Sequence, residues 1–445
     1  MSKHNQSTVV ENENSNDLFY YFLERFGYFR VWYASFIQFN SIVFRIVAGV
    51  IGVLPKEAVA IITALEYFLT CALEVPFGFL ADRIGRARAS IIGIFLIMCG
   101  LTSCFMAIVL REYPFYSNLF IVIDGLCIGL GRPILSGSAE AFYQAKMHSH
   151  STKDHELHTS FTTSLKFGKY IPMVVTLLAF MAVYSFMKIN KAHYLLVLGA
   201  LFYMFNMWTI YQDQKRFGDE HVLVKPLSFL ELLKRLTGSA LGVEGLIISS
   251  LAWLLVAPGM SFLLVSIGRE YKDLNPNTYW YAMISFMLGT QTLGNILSGY
   301  LLPKWIKSCD SLTYILRVLL PTLGVSSVVY LIYERLSFGG LLLALFVFGV
   351  VYFFCFRCLI AFMSNTILQC FSKDDYAKAL SMANVVGFFW HGVYAVYVAK
   401  YLNGSPPVKT VFLHVILFSA AGIVVYVQFK KRMLGRLKTY FSEPG

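Results

Sequence analysis

Twelve times along this chain a run of about 20 mostly apolar residues returns, long enough to cross a bilayer as a helix, and that recurrence limits the fold more than any motif does. The runs fall near 30–53, 57–78, 88–110, 115–144, 160–186, 193–211, 240–267, 278–302, 312–333, 338–362, 379–400 and 408–429. Of the 445 residues, 57% are hydrophobic and 14% charged, with a mean hydropathy of +0.62. That leaves too little polar surface for a soluble protein of this size. The expected fold class is an all-α polytopic membrane protein with twelve transmembrane helices.

The distribution of positive charge gives the expected topology. Lys and Arg exceed Asp and Glu by 12, which in a soluble protein raises the question of nucleic acid. Here the excess sits between apolar runs, on alternate loops, so the positive-inside rule accounts for it and no nucleic-acid partner is expected. One set of segments holds Arg83, Arg86, Arg88, Lys146, Lys153, Lys215, Arg216, Lys225, Lys234, Arg235, Lys304, Lys307, Lys373, Lys378 and the basic tail from Lys430. The opposite loops hold far fewer. The expected location is the cell's inner or plasma membrane with both termini in the cytosol, and residues 1–28 lack the short apolar core of a cleavable signal.

The longest polar interval, 212–239, divides the chain. The expected organisation is a cytosolic segment 1–29, a six-helix bundle 30–211, a central loop 212–239, a second six-helix bundle 240–429 and a basic cytosolic tail 430–445. Within the central loop, Pro226–Leu236 is amphipathic and can lie in the membrane interface, as can Leu18–Phe26 before the first run. The eight cysteines read as reduced packing residues rather than a disulfide framework.

The loop after the second run reads Gly78-Phe-Leu-Ala-Asp82-Arg83-Ile-Gly85-Arg86-Ala-Arg88. Gly78 and Gly85 permit a tight turn and close helix approach. Asp82 suits a helix N-terminus, and Arg83, Arg86 and Arg88 can bridge to carboxylates. This segment resembles the signature loop of the major facilitator superfamily, at the position that family places it, and the twelve-run pattern extends the resemblance over nearly the whole chain. The resemblance implies two pseudo-symmetric six-helix bundles, a monomer in lipid, and an inner-side latch formed by this loop. Ser136-Gly-Ser-Ala-Glu140-Ala, at the inner end of the fourth run, looks like many exporters of that superfamily, and the drug and metabolite exporters are the nearest branch in pattern. The other elements depart from that branch. The fourth run keeps Gly125, Gly129 and Gly131 but lacks its basic residue, the fifth has only Gly168-Lys-Tyr-Ile-Pro172, and the loop after the eighth lacks an aspartate.

Ionisable groups inside apolar runs cost roughly 2.5–3.5 kcal/mol each on insertion scales, so they are functional candidates by default. The first run carries Arg45 with Gln38 and Asn40; the second carries Glu66 and Glu74; the fourth carries Asp124, Arg132 and Glu140; the seventh carries Glu244 and the tenth Arg357. The resemblance implies that runs one, four, seven and ten line a central path. Asp124, Arg132 and Glu140 are eight residues apart, each step turning a helix about 80° and climbing about 12 Å. Arg132 is therefore expected at mid-membrane, Asp124 further out, and Glu140 near the inner surface, beside the loop arginines. Gly125 and Gly129 offer a close-packing face. Arg45 and Arg132 suit an anionic substrate group, unless Glu66 or Asp124 pairs with them. Either carboxylate can carry a coupling proton when buried.

Several further patterns read as ordinary. The loop His148–His158, the Cys355/Cys358 pair and the buried-run His391 fit solvated or packed residues better than a metal site, and no metal or cofactor is expected. No phosphate-binding glycine loop followed by Lys-Ser/Thr is present, which argues against an intrinsic ATP motor. The expected function is a secondary transporter of a small amphipathic organic molecule, with proton-coupled export ahead of organic-anion uptake and lipid or lysolipid flipping. A non-transporting receptor or scaffold and a membrane enzyme are the rivals from other classes. No nucleophile–base spacing supports the enzyme.

Overall fold

The computed structural model describes residues 18, 20–22, 24–25, 56–150, 194–218, 229–271, 293–294, 297–298, 301, 310–368, 373–404 and 406–442. The predicted helices 30–53 and 160–186 lie outside these residues, as does most of 278–302. The other nine predicted helices are all present, and eight of the described helices are long and apolar enough to cross a membrane.

In chain order the helices are α1 Lys56–Ile84, α2 Arg86–Val109, α3 Pro114–His150, α4 Tyr194–Phe217, α5 Phe229–Gly238, α6 Ala240–Val256, α7 Leu263–Tyr271, α8 Ser311–Ile332, α9 Phe338–Leu368, α10 Lys373–Tyr401 and α11 Val408–Ser442. Five of them run past the apolar stretch that foretold them: α1 to Ile84, α3 to His150, α4 to Phe217, α9 to Leu368 and α11 to Ser442. The extensions of α4 and α11 are rich in Gln, Lys and Arg, which sustain a helix in water as well as Leu does. Apolar length therefore marks the membrane-compatible part of a helix, not its end.

A single residue separates α1 from α2. Gly85 adopts φ 100°, a left-handed conformation that side chains resist, and its N–H still reaches Ala81 O at 3.0 Å. Asp310, extended in backbone, opens α8 by accepting the Thr313 N–H at 3.3 Å. Between α6 and α7 the helix widens to a π segment, Ala257–Phe262, around Pro258. The loosened ladder leaves the Leu255 carbonyl to accept from the Tyr352 hydroxyl, while Gly259 lets the Tyr352 ring press against the backbone.

Glycines set the packing of the first three helices. A side chain at Gly131 of α3 would stand 2.8 Å from Gly93 O of α2, and one at Gly93 would stand 3.0 Å from Gly131 O. On another face of α3, Gly125 receives Ile62 and Gly129 receives Leu69, both from α1. The close-packing role expected of Gly125 and Gly129 is what the structure shows. Elsewhere, Ser249 of α6 donates to Ala383 O of α10 at 2.6 Å, and Tyr314 of α8 donates to Cys358 O of α9 at 3.0 Å.

α1 makes the main contact with the second half of the chain, against α10. Near its Lys56 end, Ala60 and Ala64 pack in one apolar cluster with Ala257, Phe262, Tyr394, Ala395 and Val398. Small residues on both sides let α1 and α10 approach closely. Gly392 of α10 faces the Phe68 ring of α1, where an added Cβ would stand 3.0 Å from the ring edge.

The two expected surface helices are accounted for differently. In the 18–25 segment, Leu18 and Phe22 are buried, and in α5 Leu232 and Leu236 are fully buried. Their apolar faces are covered by protein rather than reserved for lipid, although Leu230 and Leu233 of α5 do remain exposed.

Candidate functional site

The intramembrane charges of α1 and α3 meet. Arg132 of α3 forms an ion pair with Glu66 of α1, and the two side chains are only 12% and 11% exposed. The Arg132 guanidinium also lies 5.8 Å from the centre of the Tyr67 ring, so it is held by charge on one side and by an aromatic face on the other. Asp124, two turns earlier on α3, is buried at 2% exposure and stands within electrostatic reach of both Glu66 and Arg132. It faces α2, where a side chain at Gly100 would stand 3.1 Å from its Oδ1. Among the described residues, Asp124 Oδ1 has no hydrogen-bond partner. Glu66 pairs with the guanidinium, and Asp124 is a second buried carboxylate two turns away on the same helix as Arg132.

A cluster of rings from both halves closes over this group. Tyr67 of α1 stacks on His391 of α10, centroids 3.7 Å apart and planes 22° from parallel. Trp253 of α6 meets Phe388 of α10 at 4.6 Å and Phe356 of α9 at 5.9 Å, both edge-on, and lies 6.5 Å from Tyr67. Gly387 leaves its backbone bare for the Trp253 indole, since any Cβ there would fall inside the ring. The indole Nε1 is buried and, among the described residues, has no acceptor.

No protein-family model matches the chain, and no curated protein sequence matches it. Solved structures do. A point variant of the nucleoside transporter NupG superposes with a TM-score of 0.65 at 12% identity, covering 92% of this chain and 99% of its own. The peptide transporter POT in complex with sulfate gives 0.59 at 16%, covering 94% and 95%. The E. coli fucose:proton symporter FucP gives 0.54 at 15%, covering 91% and 97%. The fold is that of the major facilitator transporters.

Within a major facilitator fold the remaining expected site residues are distributed as follows. Arg45, Gln38 and Asn40 lie outside the described residues. At the α1–α2 joint, Asp82 accepts from Arg86 Nε at 3.1 Å across the Gly85 turn, while Arg83 and Arg88 are exposed. Gly85 makes the expected turn. Gly78 does not make the expected close approach: among the described residues nothing lies within 4 Å of where its Cβ would be. The Glu140 side chain lies outside the described residues, although its backbone is part of α3.

Glu244 and Arg357 are engaged away from the Arg132 group. Buried Glu244 of α6 pairs with Lys430 of α11 at 2.8 Å and also accepts from the Tyr426 hydroxyl. Arg357 of α9 lies 5.0 Å over the Phe353 ring of the same helix. A second set of ties joins the end of α7, the α8–α9 turn and the start of α11. Glu270 at the end of α7 accepts the Val408 N–H that opens α11, at 2.7 Å, as well as the Tyr333 hydroxyl, and Lys409 reaches Glu334 at 2.7 Å.

One buried polar hub has no counterpart in the sequence reading. Asp213, near the end of α4 and 1% exposed, accepts from the Tyr21 hydroxyl at 2.7 Å and from the Tyr143 hydroxyl of α3 at 3.0 Å. Arg25 stands 3.8 Å from its other edge and donates to the Tyr21 oxygen at 3.1 Å. Arg216 covers the Phe217 ring at 4.9 Å, and Lys146 of α3 donates to Phe217 O at 3.0 Å. Burial, then the bond to Asp213, push the Tyr21 phenol above its usual range. All of these residues but Tyr143 stand in polar stretches outside the apolar runs, where nothing in the residue pattern separates a buried carboxylate from a solvated one.

Proposed function

We propose that the chain is a secondary transporter that moves a small organic molecule across the membrane by alternating access, with the Glu66–Arg132–Asp124 group at its centre. The observation that carries this is the buried Glu66–Arg132 pair at mid-helix, with the Arg132 guanidinium beside the Tyr67 ring whose stack on His391 joins the two halves, and with Asp124 buried two turns away on α3. A static scaffold has no use for such a costly group at a joint between halves. By name, NupG and POT are a nucleoside and a peptide transporter and FucP is a fucose:proton symporter, which supports the same reading.

Coupling to protons follows from the charge count. With both carboxylates ionised the group carries one net negative charge, so taking up one proton removes the cost of that charge in a poor dielectric. Glu66 and Asp124 are the proposed proton carriers. Arg132 is already held by a carboxylate, so an anionic substrate would have to compete with Glu66, whereas a neutral or amphipathic one would not. The direction proposed is export, supported by the exporter-like Ser136–Ala141 segment. The Gly85 joint and the basic tail are assigned to the cytosolic side by their positive charge. There the Asp82–Arg86 bridge and the Glu244–Lys430 pair are proposed to clamp the inner ends of their helices.

The experiment is solute-driven flux in liposomes reconstituted with the purified protein, at equal and at unequal pH across the membrane. Flux that accelerates down a proton gradient in the wild type and becomes indifferent to pH in Glu66→Gln supports the reading. Product formation from the solute without flux would replace it with a membrane enzyme.

A further inference from the structure

The ring cluster over Arg132 has features that ordinary core packing does not need. The face of Tyr67 is occupied by an imidazole, that of His391, at stacking distance, and this contact bridges the two halves of the chain. Beside this stack, 6.5 Å from Tyr67 and 6.2 Å from His391 between ring centres, lies a buried indole whose donor, Trp253 Nε1, has no acceptor among the described residues. A buried N–H without a partner costs free energy that a packed core avoids. Trp253 is nevertheless fixed in place, edge-on to Phe388 and Phe356 and seated on the bare backbone of Gly387. The donor is thus aimed and held, and the aromatic face beside it already accepts a flat heteroaromatic ring.

Resting on the transport reading above, we propose that the solute carried by this site contains a flat heteroaromatic ring. On binding, that ring replaces the His391 imidazole on the face of Tyr67 and offers a ring or exocyclic acceptor to Trp253 Nε1. Alternating access requires α1 and α10 to part at some stage of the cycle, and their parting removes the imidazole from Tyr67. A solute ring then restores the lost stacking, and its acceptor satisfies the indole. An aliphatic ring of the same size does neither, because it has no π face for Tyr67 and its pucker moves any acceptor out of the plane. Glu66 and Arg132, beneath the same ring, are left to read polar substituents at the edge of the solute.

The test uses matched pairs of flat and saturated molecules: uridine with 5,6-dihydrouridine, and benzamide with cyclohexanecarboxamide, with nicotinamide as a ring carrying its own acceptor. Binding is read as thermal stabilisation of the full chain in detergent and as quenching of tryptophan fluorescence. The expected result is that a flat member binds roughly two- to tenfold more tightly than its saturated partner, the worth of a good ring–ring contact. Trp253→Phe keeps a ring and removes the donor, so it weakens that binding roughly fivefold while the unliganded protein stays folded. Tyr67→Leu abolishes the preference for flat over saturated members, and Tyr67→Phe retains it. Equal binding within every pair, or no binding by any flat member, overturns the proposal. A saturated solute that binds and is carried into liposomes would overturn the ring requirement and leave the transport reading standing. A flat solute that binds and is never carried would do the reverse.

Discussion

Replacing Arg132 by Met strands a carboxylate inside the membrane. Glu66 is 8% exposed and its carboxylate faces the guanidinium, so the variant must either bury an unpaired charge or protonate it. Removing one partner of such a pair costs about 3–5 kcal/mol, and Glu66→Leu, which strands Arg132 instead, costs a similar amount. The double variant Glu66→Leu/Arg132→Met removes both charges and keeps comparable volume and contact with the Tyr67 ring. With Asp124→Asn in every member of the comparison, so that no second carboxylate loses the guanidinium, it is expected within about 1 kcal/mol of that background, since apolar replacement of a buried pair is often neutral or favourable. The two sites are then coupled by at least about 5 kcal/mol, measured as a double-mutant cycle from reversible unfolding in micelles titrated with denaturing detergent. The double variant should also lose all coupled transport while remaining folded. Single-variant losses below about 1 kcal/mol, or losses that simply add in the double variant, would refute the pairing.

Four other outcomes follow from the packing and the polar hub. Gly131→Ala drives a methyl against Gly93 O and Ile97, and should cost roughly 1–3 kcal/mol of unfolding free energy. Gly78→Ala, in open helical space, should instead gain up to about 1 kcal/mol by helix propensity. Asp213→Ala leaves the Tyr21 and Tyr143 hydroxyls without their acceptor; a loss of about 1–3 kcal/mol is expected, with faster proteolysis at Arg25 as the readout. Because the folded pKa of Tyr21 lies above its usual 10.0, the docking of the 18–25 segment is at full strength below about pH 10 and weakens as pH rises above it. Tyr21→Phe should remove that alkaline step in protease sensitivity.

The sequence carried the membrane class and the positions of the described helices, because lipid forces each span to announce itself as apolar length. It also carried the Gly85 turn, the Gly125 and Gly129 packing face, and the possibility that Glu66 takes Arg132. What it did not carry was direction around each helix. The spacing of Asp124 from Arg132 gave their angular separation, but not that Asp124 would face Gly100 of α2. Glu244 and Lys430 are paired across a separation of nearly the whole second half, and no local pattern links them. Tyr67, Trp253 and Phe388 looked like any other aromatic residues in a chain that is 16% aromatic. Only the meeting of α1 with α10 turned them into one cluster. Arg25 and Asp213 were invisible for the opposite reason: charge in a polar stretch reads as solvated until a tertiary contact buries it.

The most direct test of transport through the Glu66–Arg132–Asp124 group is a proton measurement. Purified protein is sealed into liposomes with a pH-sensitive dye inside, and a solute that stabilises the protein is added outside. The account predicts a solute-dependent change of internal pH in the wild type, lost in Glu66→Gln although that variant still binds the solute. Solute entry with no movement of protons, or proton movement unchanged by Glu66→Gln, would contradict it.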